Sequence, residues 1–280
     1  MADAPKYPTA LGVSTRESIS LLGEDLAEDL IGRVDFGELA FRLLTLRSPS
    51  PSEAAMFNAA LVSLADHGFT PVAIAARLTY FGAPESIQGA LAAGFLGGGS
   101  RFLGVSENTG RFLGETLDKV VEAQTPLPTD DAGWDRLALE AITRLHEAGE
   151  IVPGLGHHLH KEGDPRVPRL FALAEQHGTF GPHLSLYRAM GRVAPQATGR
   201  NLPLNGAGAC GAVLADLGIP REMLRGVVLL ARCAGLLGHL AEERRSPIAS
   251  QVFSHVEESA YYVAPDQGAS SNGDGIELGR

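Results

Sequence analysis

Residues 50–68 have the sequence SPSEAAMFNAALVSLADHG, which carries the signals of one amphipathic helix. Ser50 is a residue type that caps helix N-termini, Pro51 suits the first helical position, and Glu53 completes the spacing of a capping box. Gly68 predicts the end of the helix. Apolar side chains at spacings of three and four residues predict one buried face, formed by Ala54, Phe57, Leu61 and Leu64.

Proline near a helix start and glycine after its end recur along the chain, whereas alternating strand patterns are nearly absent. We therefore predict an all-α fold, without internal repeats or sustained heptads. The further predicted helices cover residues 36–46, 84–94, 134–148, 168–178, 204–217 and 220–240. A polar stretch at 127–131 predicts a loop or hinge, and the Gly- and Ser-rich end of the chain predicts a flexible tail.

The composition excludes several classes of protein. The 280 residues are 44% hydrophobic and 20% charged, as in an ordinary globular chain. The formal net charge of −10 argues against general binding to nucleic acid or acidic membranes, which requires a basic surface. Two cysteines, Cys210 and Cys233, exclude a disulfide framework and a cysteine zinc site. We expect no signal peptide, no membrane span and a cytoplasmic location.

Three of the nine histidines lie in the sequence GLGHHLH at 154–160, followed by Lys161 and by the sequence DPR at 164–166. Glycines let the backbone approach a ligand, and cationic side chains suit a carboxylate or phosphate. The segment has three interpretations: a metal site, a histidine-rich surface loop, or an acid–base and anion site. Neither a second ligand cluster nor an HExxH helix supports the metal site, and the residues alone leave the other two open.

Three further segments carry candidate functional residues. His67 follows Asp66 at the end of the first helix, where a histidine either complements the helix dipole or joins a site. The glycines at 97–99 lack the GxxxxGK[ST] signature, so close helix packing is the simpler interpretation. Asn205 precedes a helix of small residues, which is typical of a buried helix or of a backbone approached by a ligand.

Four segments in order resemble the citrate synthase family. The sequence IVPGLGH at 151–157, with DPR at 164–166, resembles the coenzyme A (CoA) and substrate loop. LADH at 64–67 resembles the family's ADH segment, and Asn205 stands where the family has LxxNVDG. GLLGHLAE at 235–242 resembles the late GxxxHxxE helix. The resemblance covers roughly residues 25–265.

Within this family the chain resembles the short citryl-CoA lyase-like branch. Citrate synthases carry a second catalytic histidine in an LHGGAN-like segment, and Phe102 stands at that position here. A phenylalanine in an RFGG sequence is also what the citryl-CoA lyase module of ATP-citrate lyase shows. Two positions depart from the family: Ala207 replaces the aspartate that moves the α-proton of the acetyl thioester, and His158 replaces an arginine.

The resemblance implies a citrate synthase-like helical fold with a large and a smaller helical domain. Residues 1–24 form an N-terminal extension, 25–150 and 201–265 the large domain, 151–200 the small domain with the CoA and substrate loop, and 266–280 a flexible tail. The resemblance also implies a homodimer packed through helices, formed by 206–217, 220–240 or 50–67.

The resemblance also implies the roles of individual residues. It assigns catalytic roles to His157, His67, Asn205 and His158. The groups that hold substrate carboxylates are Arg166, His67 and Arg101. CoA contacts are implied for Pro153, Gly154, Leu155, Gly156 and Lys161, and no metal is expected. With Ala207 in the aspartate's place, His158 and His160 are the candidate substitutes for it, ahead of His239, Asp66 and Glu107.

The implied function is a CoA-thioester carbon–carbon lyase, which cleaves a 3-hydroxyacyl-CoA such as citryl-CoA to acetyl-CoA and a 2-oxo acid such as oxaloacetate. The first alternative is a condensing enzyme that runs the reverse reaction, because one site catalyses both directions. The second alternative is a catalytically inactive CoA-binding paralogue, which Ala207 keeps open. The expected partners are a CoA thioester and a 2-oxo acid, with no nucleic acid and no membrane.

Overall fold

The computed structural model describes residues 7–264, and within this range eleven α-helices surround one hydrophobic core. The first six helices are α1 (Phe36–Thr45), α2 (Pro51–Ala65), α3 (Pro71–Gly82), α4 (Ile87–Leu103), α5 (Val105–Glu122) and α6 (Asp131–Glu147). The other five are α7 (Arg166–Gln176), α8 (Pro182–Thr198), α9 (Gly206–Asp216), α10 (Leu224–Arg245) and α11 (Ala249–Ser259). The predicted all-α class is therefore confirmed.

A small antiparallel sheet of order β1-β2-β3 precedes the helices. Its strands are β1 (Gly12–Ser14), β2 (Ile19–Leu21) and β3 (Glu24–Asp25), with Gly12 opposite Leu21 and Ser20 opposite Asp25. Arg42 of α1 donates to Glu24 across 2.9 Å. The segment predicted as an extension is thus joined to the first helix by an ion pair.

Helix α2 begins as its sequence predicts. The Ser50 hydroxyl accepts from the Glu53 amide at 3.2 Å, and the Glu53 carboxylate accepts from the Ser50 amide at 2.8 Å. Pro51 occupies the first turn, where its missing N–H leaves no helical bond unmade. The helix ends at Ala65, earlier than Gly68, because Asp66 adopts an extended conformation. This early end places Asp66 and His67 in the connection to α3, beside the candidate site.

Helix α9 is almost completely buried, because its small residues let other backbones approach closely. It packs against α2, α5, α7 and α8. A β-carbon at Gly211 would overlap the Ser106 carbonyl of α5, and one at Gly208 would lie 2.8 Å from Gly154 Cα. The N-terminus of α9 therefore meets the 151–156 loop at close range.

Helix α10 packs against α2, α3 and α4 in the core. Residues Arg221–Arg245 are long and apolar enough to cross a bilayer by length and composition alone, whereas the sequence reading predicts no such span. A core helix of a soluble protein meets the same two criteria. Arg232 of α10 is buried, and its Nη1 lies 3.4 Å from Asp66 Oδ1.

Several predicted helix bounds are wrong, and four helices were not predicted. Helix α4 begins at Ile87, not Pro84, because Ser86 provides the cap, and it continues past Gly94 to a kink at Gly99. Helix α7 begins at Arg166, before Pro168, and α9 begins at Gly206, two residues after Leu204. The helices that sequence reasoning missed are α3, α5, α8 and α11.

The division into two domains stays a prediction. Helix α8 lies in the proposed small domain at 151–200, yet it packs along α6 of the proposed large domain. Residues 124–130 form a loop that ends at the α6 cap, where Asp130 accepts from the Gly133 amide at 2.8 Å. The predicted tail at 266–280 lies outside the described residues.

Candidate active site

The loop at 151–156 is attached to the segment that leads into α9. The Gly156 amide donates to the Pro203 carbonyl at 2.7 Å, and the Asn205 amide donates to the Gly154 carbonyl at 3.0 Å. Leu155 forms an isolated antiparallel bridge with Leu204. These backbone bonds set the position of the histidines that follow.

Two glycines allow the turn in this loop. Gly154 and Gly156 have φ values of 82° and 79°, in the left-handed region that favours glycine. A β-carbon at Gly154 would also lie 2.7 Å from the Tyr187 ring and 3.0 Å from Thr109. The backbone at Gly154 thus requires glycine for its conformation and for its packing.

Four histidines from two separate segments form one cluster. The His67 ring centroid lies 5.3, 6.0 and 5.8 Å from those of His157, His158 and His160. His157 also lies 4.7 Å from His158, with the rings stacked, and 4.5 Å from His160. The structure therefore brings together the histidines that the sequence analysis singled out from separate segments. We call these four residues the histidine cluster.

Hydrogen bonds indicate the tautomer of His157. Its Nδ1 accepts from the amides of Leu159 at 3.1 Å and His160 at 3.0 Å, so the ring proton resides on Nε2. Burial, and after it the charge of His158, lower the pKa of His157 to about 4. Nε2 lies 3.9 Å from Asp164 Oδ2, too far for a hydrogen bond. His157 is thus a neutral ring with an N–H available to a ligand.

His67 has a partly buried ring, which makes no hydrogen bond to another residue among residues 7–264. Burial, and after it the charge of Arg166, lower the pKa of His67 below its ordinary value of 6.5. At neutral pH the ring is therefore uncharged and carries one nitrogen lone pair. A neutral imidazole of this kind can accept a proton from a bound ligand.

Asp164 joins the histidine loop to α9 and to Arg166. Its two oxygens face Arg166 Nε at 3.0 Å and Nη2 at 2.7 Å, and Oδ2 also accepts from the Gly206 amide at 2.7 Å. Burial alone would raise the pKa of Asp164, but these donors hold that pKa well below its ordinary range. Arg166 Nη1 also donates to the Ser63 carbonyl at 3.2 Å. The ion pair is therefore bidentate and fixed on both sides.

Asn205 uses its side chain within the protein. Its Oδ1 accepts from the Gly208 amide at 2.8 Å as the cap of α9, and its Nδ2 donates to the Gly156 carbonyl at 2.9 Å. The Tyr187 hydroxyl lies 2.8 Å from both the Gly154 and Asn205 carbonyls and donates to one of them at a time. These contacts indicate a positioning role for Asn205, and the catalytic role that the resemblance implies for it stays a prediction.

Arg232 of α10 was not among the predicted site residues. It is 9% exposed, its Nη1 lies 3.4 Å from Asp66 Oδ1, and its Nε has no hydrogen-bond partner among residues 7–264. Burial, opposed by Asp66 and reinforced by the charge of Arg166, lowers the pKa of Arg232. A sequence signal was present, because an arginine on an otherwise apolar stretch of helix requires a partner.

The remaining predicted residues lie at the margin of the site. Lys161 is exposed, and its amide donates to the Leu159 carbonyl at 3.0 Å. Arg101 and Phe102 are exposed at the end of α4, without a hydrogen bond or ion pair to the histidine cluster in the described part of the chain. Ala207 is partly buried in the first turn of α9, and its carbonyl accepts from Ser106 at 2.7 Å.

The structure has cavities away from the histidine cluster. Two cavities of about 470 and 440 Å³ lie elsewhere. The first is lined by α10 residues with Tyr80 and Ile87, and the second lies between α5 and α6. The histidine cluster lines neither of them.

The histidine cluster also has a geometry relevant to metals. Single nitrogens of His67, His157 and His160 lie within 4.8 Å of one another. A metal ion would bind His157 Nε2 through a lone pair on that atom. The amides of Leu159 and His160 donate to Nδ1, so the ring proton lies on Nε2 and no lone pair is free there. The charge of Arg166, which lowers the pKa of His67, also disfavours a cation. The histidine cluster is therefore better suited to donate a hydrogen bond to an anion than to bind a metal ion.

Comparison with known proteins defines the family. A sequence model described as "Citrate synthase, C-terminal domain" matches residues 6–250. The chain belongs to the citrate synthase family. Citrate synthase 2 of Bacillus subtilis (strain 168) is 27% identical over 214 residues, which cover 75% of this chain and 53% of that protein. The chain thus spans about half the length of this family member.

Solved structures of the family include a citryl-CoA lyase from Hydrogenobacter thermophilus. It is 27% identical, with a TM-score of 0.77 over 92% of this chain and 94% of that chain. ATP citrate lyase from Methanosaeta concilii, solved as a mutant in complex with (3S)-citryl-CoA, has a TM-score of 0.73 at 21% identity. The match covers 95% of this chain and 43% of that ATP citrate lyase chain. The predicted citrate synthase-like helical fold is confirmed.

Proposed function

We propose that the chain is a CoA-thioester carbon–carbon lyase of the citryl-CoA lyase type. It cleaves a 3-hydroxyacyl-CoA, such as citryl-CoA, to acetyl-CoA and a 2-oxo acid. The observation that carries the proposal is the histidine cluster beside the Asp164–Arg166 pair, where His157 presents a neutral Nε2–H. The similarity to a citryl-CoA lyase over 94% of that chain supports it.

The proposed step breaks the bond between C2 and C3 of the acyl chain. The C3 hydroxyl gives its proton to a base and becomes the carbonyl of the 2-oxo acid. The electron pair of the broken bond passes into the thioester as an enolate, which then takes a proton at carbon to give acetyl-CoA. The site must therefore supply a base, donors for charge on oxygen, and an acid at carbon.

His157 and His67 divide the work at the C3 oxygen. His157 donates from Nε2 to this oxygen and stabilises its charge as the hydroxyl proton leaves. His157 cannot accept that proton, because Nε2 already carries one. His67 has a lone pair and a pKa below its ordinary value, and we assign it as the base.

Two arginines anchor the acid half of the substrate. Arg232 has a buried Nε without a partner in the described part of the chain, and Arg166 keeps N–H groups beyond those that face Asp164 and Ser63. Arginine suits this task because its planar donors match a carboxylate. This assignment adds Arg232 to the predicted carboxylate group and leaves Arg101 as an untested prediction.

The CoA half is assigned to the 153–156 loop and Lys161. The carbonyls of Gly154 and Gly156 already accept hydrogen bonds from Asn205, the cap of α9. The loop therefore offers CoA a shaped, apolar surface more than free backbone acceptors. Lys161 is exposed and suits a phosphate. This part of the site remains a proposal from the resemblance.

The acid that protonates the enolate differs from that of the family, because Ala207 has no carboxyl group. Asp164 cannot replace it as an acid, since Arg166 and Gly206 keep its carboxylate ionised. His158 and His160 belong to the histidine cluster and are the candidate acids. Ala207 also favours a second candidate function, that of an inactive paralogue that binds CoA without turnover.

We also propose a homodimer. Val62 of α2 and Leu96 of α4 are 78% and 82% exposed, and Leu237 of α10 is 47% exposed. These side chains leave apolar surface on helices expected in the interface, whereas α9 is buried within one chain and is a poor candidate.

A thioester assay tests the proposed activity. The purified chain is incubated with a panel of 3-hydroxyacyl-CoA thioesters that includes citryl-CoA, and release of acetyl-CoA is measured. We expect release that depends on His157, with His157→Ala as the control. CoA binding without cleavage of any thioester would instead establish the inactive paralogue. The equilibrium position of the reaction, measured from both sides, separates lyase from condensing use.

A further inference from the structure

A second concave site lies between α5 and α6, away from the histidine cluster. The cavity of about 440 Å³ is lined by the C-terminal half of α5, the 123–128 loop and the middle of α6. We call it the α5–α6 cavity. Helix α5 packs mainly on α9 and helix α6 on α8, which leaves a groove between them. Its volume lies in the range of sites for one small organic molecule.

Much of the lining of the α5–α6 cavity is apolar. Val120 of α5 and Leu137 and Ala141 of α6 line it, together with Pro126 and Pro128 of the loop. Val120 and Leu137 are half-buried and keep apolar surface toward the cavity. Proline fixes its own backbone φ, so the loop loses little conformational freedom when a ligand binds. The cavity therefore offers a preformed surface to an apolar body.

The charged part of the lining is cationic, although the chain as a whole has a net charge of −10. Lys119, Arg136 and Arg144 line the cavity together with one carboxylate, that of Glu140. The three α6 residues are spaced four residues apart, so they share one face of the helix. Three cations and one carboxylate give the lining a formal charge of +2.

The neighbouring acidic residues do not neutralise these cations by direct contact. Asp118 and Asp135 directly precede two of the cations, but they pair with Arg221 and Arg192, each at 2.6 Å. Within residues 7–264 none of the three cations forms an ion pair. The exposed glutamates within one turn of a cation do not line the cavity; they are Glu115, Glu122 and Glu147. A ligand in the cavity therefore meets guanidinium and ammonium groups that have no ionic partner.

The cavity is also independent of the proposed dimer. The helices with the exposed apolar side chains assigned to the interface are α2, α4 and α10, and none of them contributes a residue to the lining. The other cavity, of about 470 Å³, is lined by Leu237, which belongs to that set. The charge and shape of the α5–α6 cavity thus belong to one chain.

We propose that the α5–α6 cavity binds a small organic dianion with an apolar body, such as an aryl phosphate or an aryl dicarboxylate. Two negative charges complement the lining, and arginine and lysine both suit phosphate and carboxylate oxygens. The apolar wall takes the body of the ligand. The cavity shares no lining residue with the candidate active site, so this inference does not rest on the proposed lyase function.

Calorimetric titration of the whole chain at low ionic strength tests the ligand class. The two dianionic probes are 1-naphthyl phosphate and naphthalene-2,3-dicarboxylate. Inorganic phosphate lacks the apolar body, and 1-naphthol lacks the charge. We expect a Kd of about 1 mM or below for at least one dianionic probe. Inorganic phosphate and 1-naphthol should each bind about tenfold more weakly or less. The tighter of the two dianionic probes identifies the preferred head group.

Variants of the lining locate the bound probe. The double variant Arg136→Gln, Arg144→Gln should weaken binding by about tenfold, since an exposed ion pair contributes about threefold. Ala123→Phe fills part of the cavity from an exposed position without changing its charge, and should weaken binding by a similar factor. Arg33→Gln, at an exposed arginine outside the cavity, is the matched control and should leave the Kd within about twofold. Circular dichroism checks that each variant is folded.

Four results overturn the inference. The first is that neither dianionic probe binds at about 10 mM. The second is that inorganic phosphate binds as tightly as 1-naphthyl phosphate, because surface charge alone then explains the affinity. The third is binding that survives in the double variant but is lost in Lys161→Gln, which assigns the probe to the candidate active site. The fourth is a ligand-induced change of mass in light scattering, which assigns the cavity to an interface between copies.

Discussion

His239 Nε2 lies 2.9 Å from Asp66 Oδ1 and joins the end of α2 to α10. The other ring nitrogen, Nδ1, accepts from Arg77 Nε at 3.1 Å, so the proton resides on Nε2 and is donated to Asp66. Arg77 is itself buried and ion-paired with Glu242 and Glu243. This network fixes Asp66, which in turn lies near Arg232.

We expect His239 to act as a positioning residue for Arg232. His239→Ala should lower kcat/KM for thioester cleavage by about tenfold, mainly by raising KM, because Asp66 and then Arg232 lose their orientation. His239→Gln keeps an amide donor for Asp66 and should recover part of the loss. Steady-state kinetics of both variants provide the measurement. Equal losses in the two variants, carried by kcat alone, contradict the positioning role.

We expect His157 to be required for turnover and not for CoA binding. His157→Ala removes the neutral Nε2–H donor and should lower kcat by a factor of about 10² to 10⁴. Affinity for CoA, measured by calorimetry, should change little. Circular dichroism of the variant checks that the loop substitution leaves the helical fold intact. Full activity in His157→Ala removes His157 from the mechanism.

We expect Ala207→Asp to raise thioester cleavage, because it supplies a carboxyl group where relatives carry their proton carrier. A restored acid or base typically changes the rate by a factor of about 10² or more. Ala207→Asn is the matched control, since it has a similar shape and cannot carry the proton. Acetyl-CoA release is measured for both variants. A slower Ala207→Asp enzyme means that another residue moves the proton.

We expect the stability of the protein to fall as the pH falls from about 6.5 to 4, through protonation of His157. The pKa of His157 is lower in the folded chain than its ordinary value, so the unfolded chain binds this proton first. His67 acts in the same direction. The measurement is urea unfolding of wild type and His157→Gln at several pH values. The decrease in the free energy of unfolding at low pH should be smaller in the variant. Identical pH dependence in both proteins rules out the assignment.

We expect a dimer in solution at micromolar concentration, joined through exposed apolar side chains of the helices. Val62→Glu or Leu96→Glu places a charge on such a surface and should shift the chain toward the monomer if that helix lies in the interface. Val256→Glu, on the exposed face of α11, is the matched control. Light scattering gives the mass. A monomeric wild-type chain contradicts the proposal.

Local sequence signals predicted α2 best, because its cap, first-turn proline and apolar face all lie within one segment. Helices α3 and α8 carry Pro71 and Pro182 in their first turns, and these prolines are local signals of a helix start. Helix α8 also depends on a distant residue. The carboxylate of Asp216 accepts from the amides of Gly181, His183 and Leu184, at 2.9–3.0 Å. No local pattern predicts such a cap.

The sequence by itself determined the helical class, the family resemblance and which histidines are candidates for the site. Helix caps, apolar spacing and motif order are local properties of the chain. The tertiary structure alone decided where those residues lie and which groups they contact. It placed His67 beside His157, used both polar atoms of Asn205 within the protein, paired Arg166 with Asp164 and added Arg232. These outcomes depend on contacts between segments far apart in the chain, whose geometry is set by the packing of α2, α9 and α10.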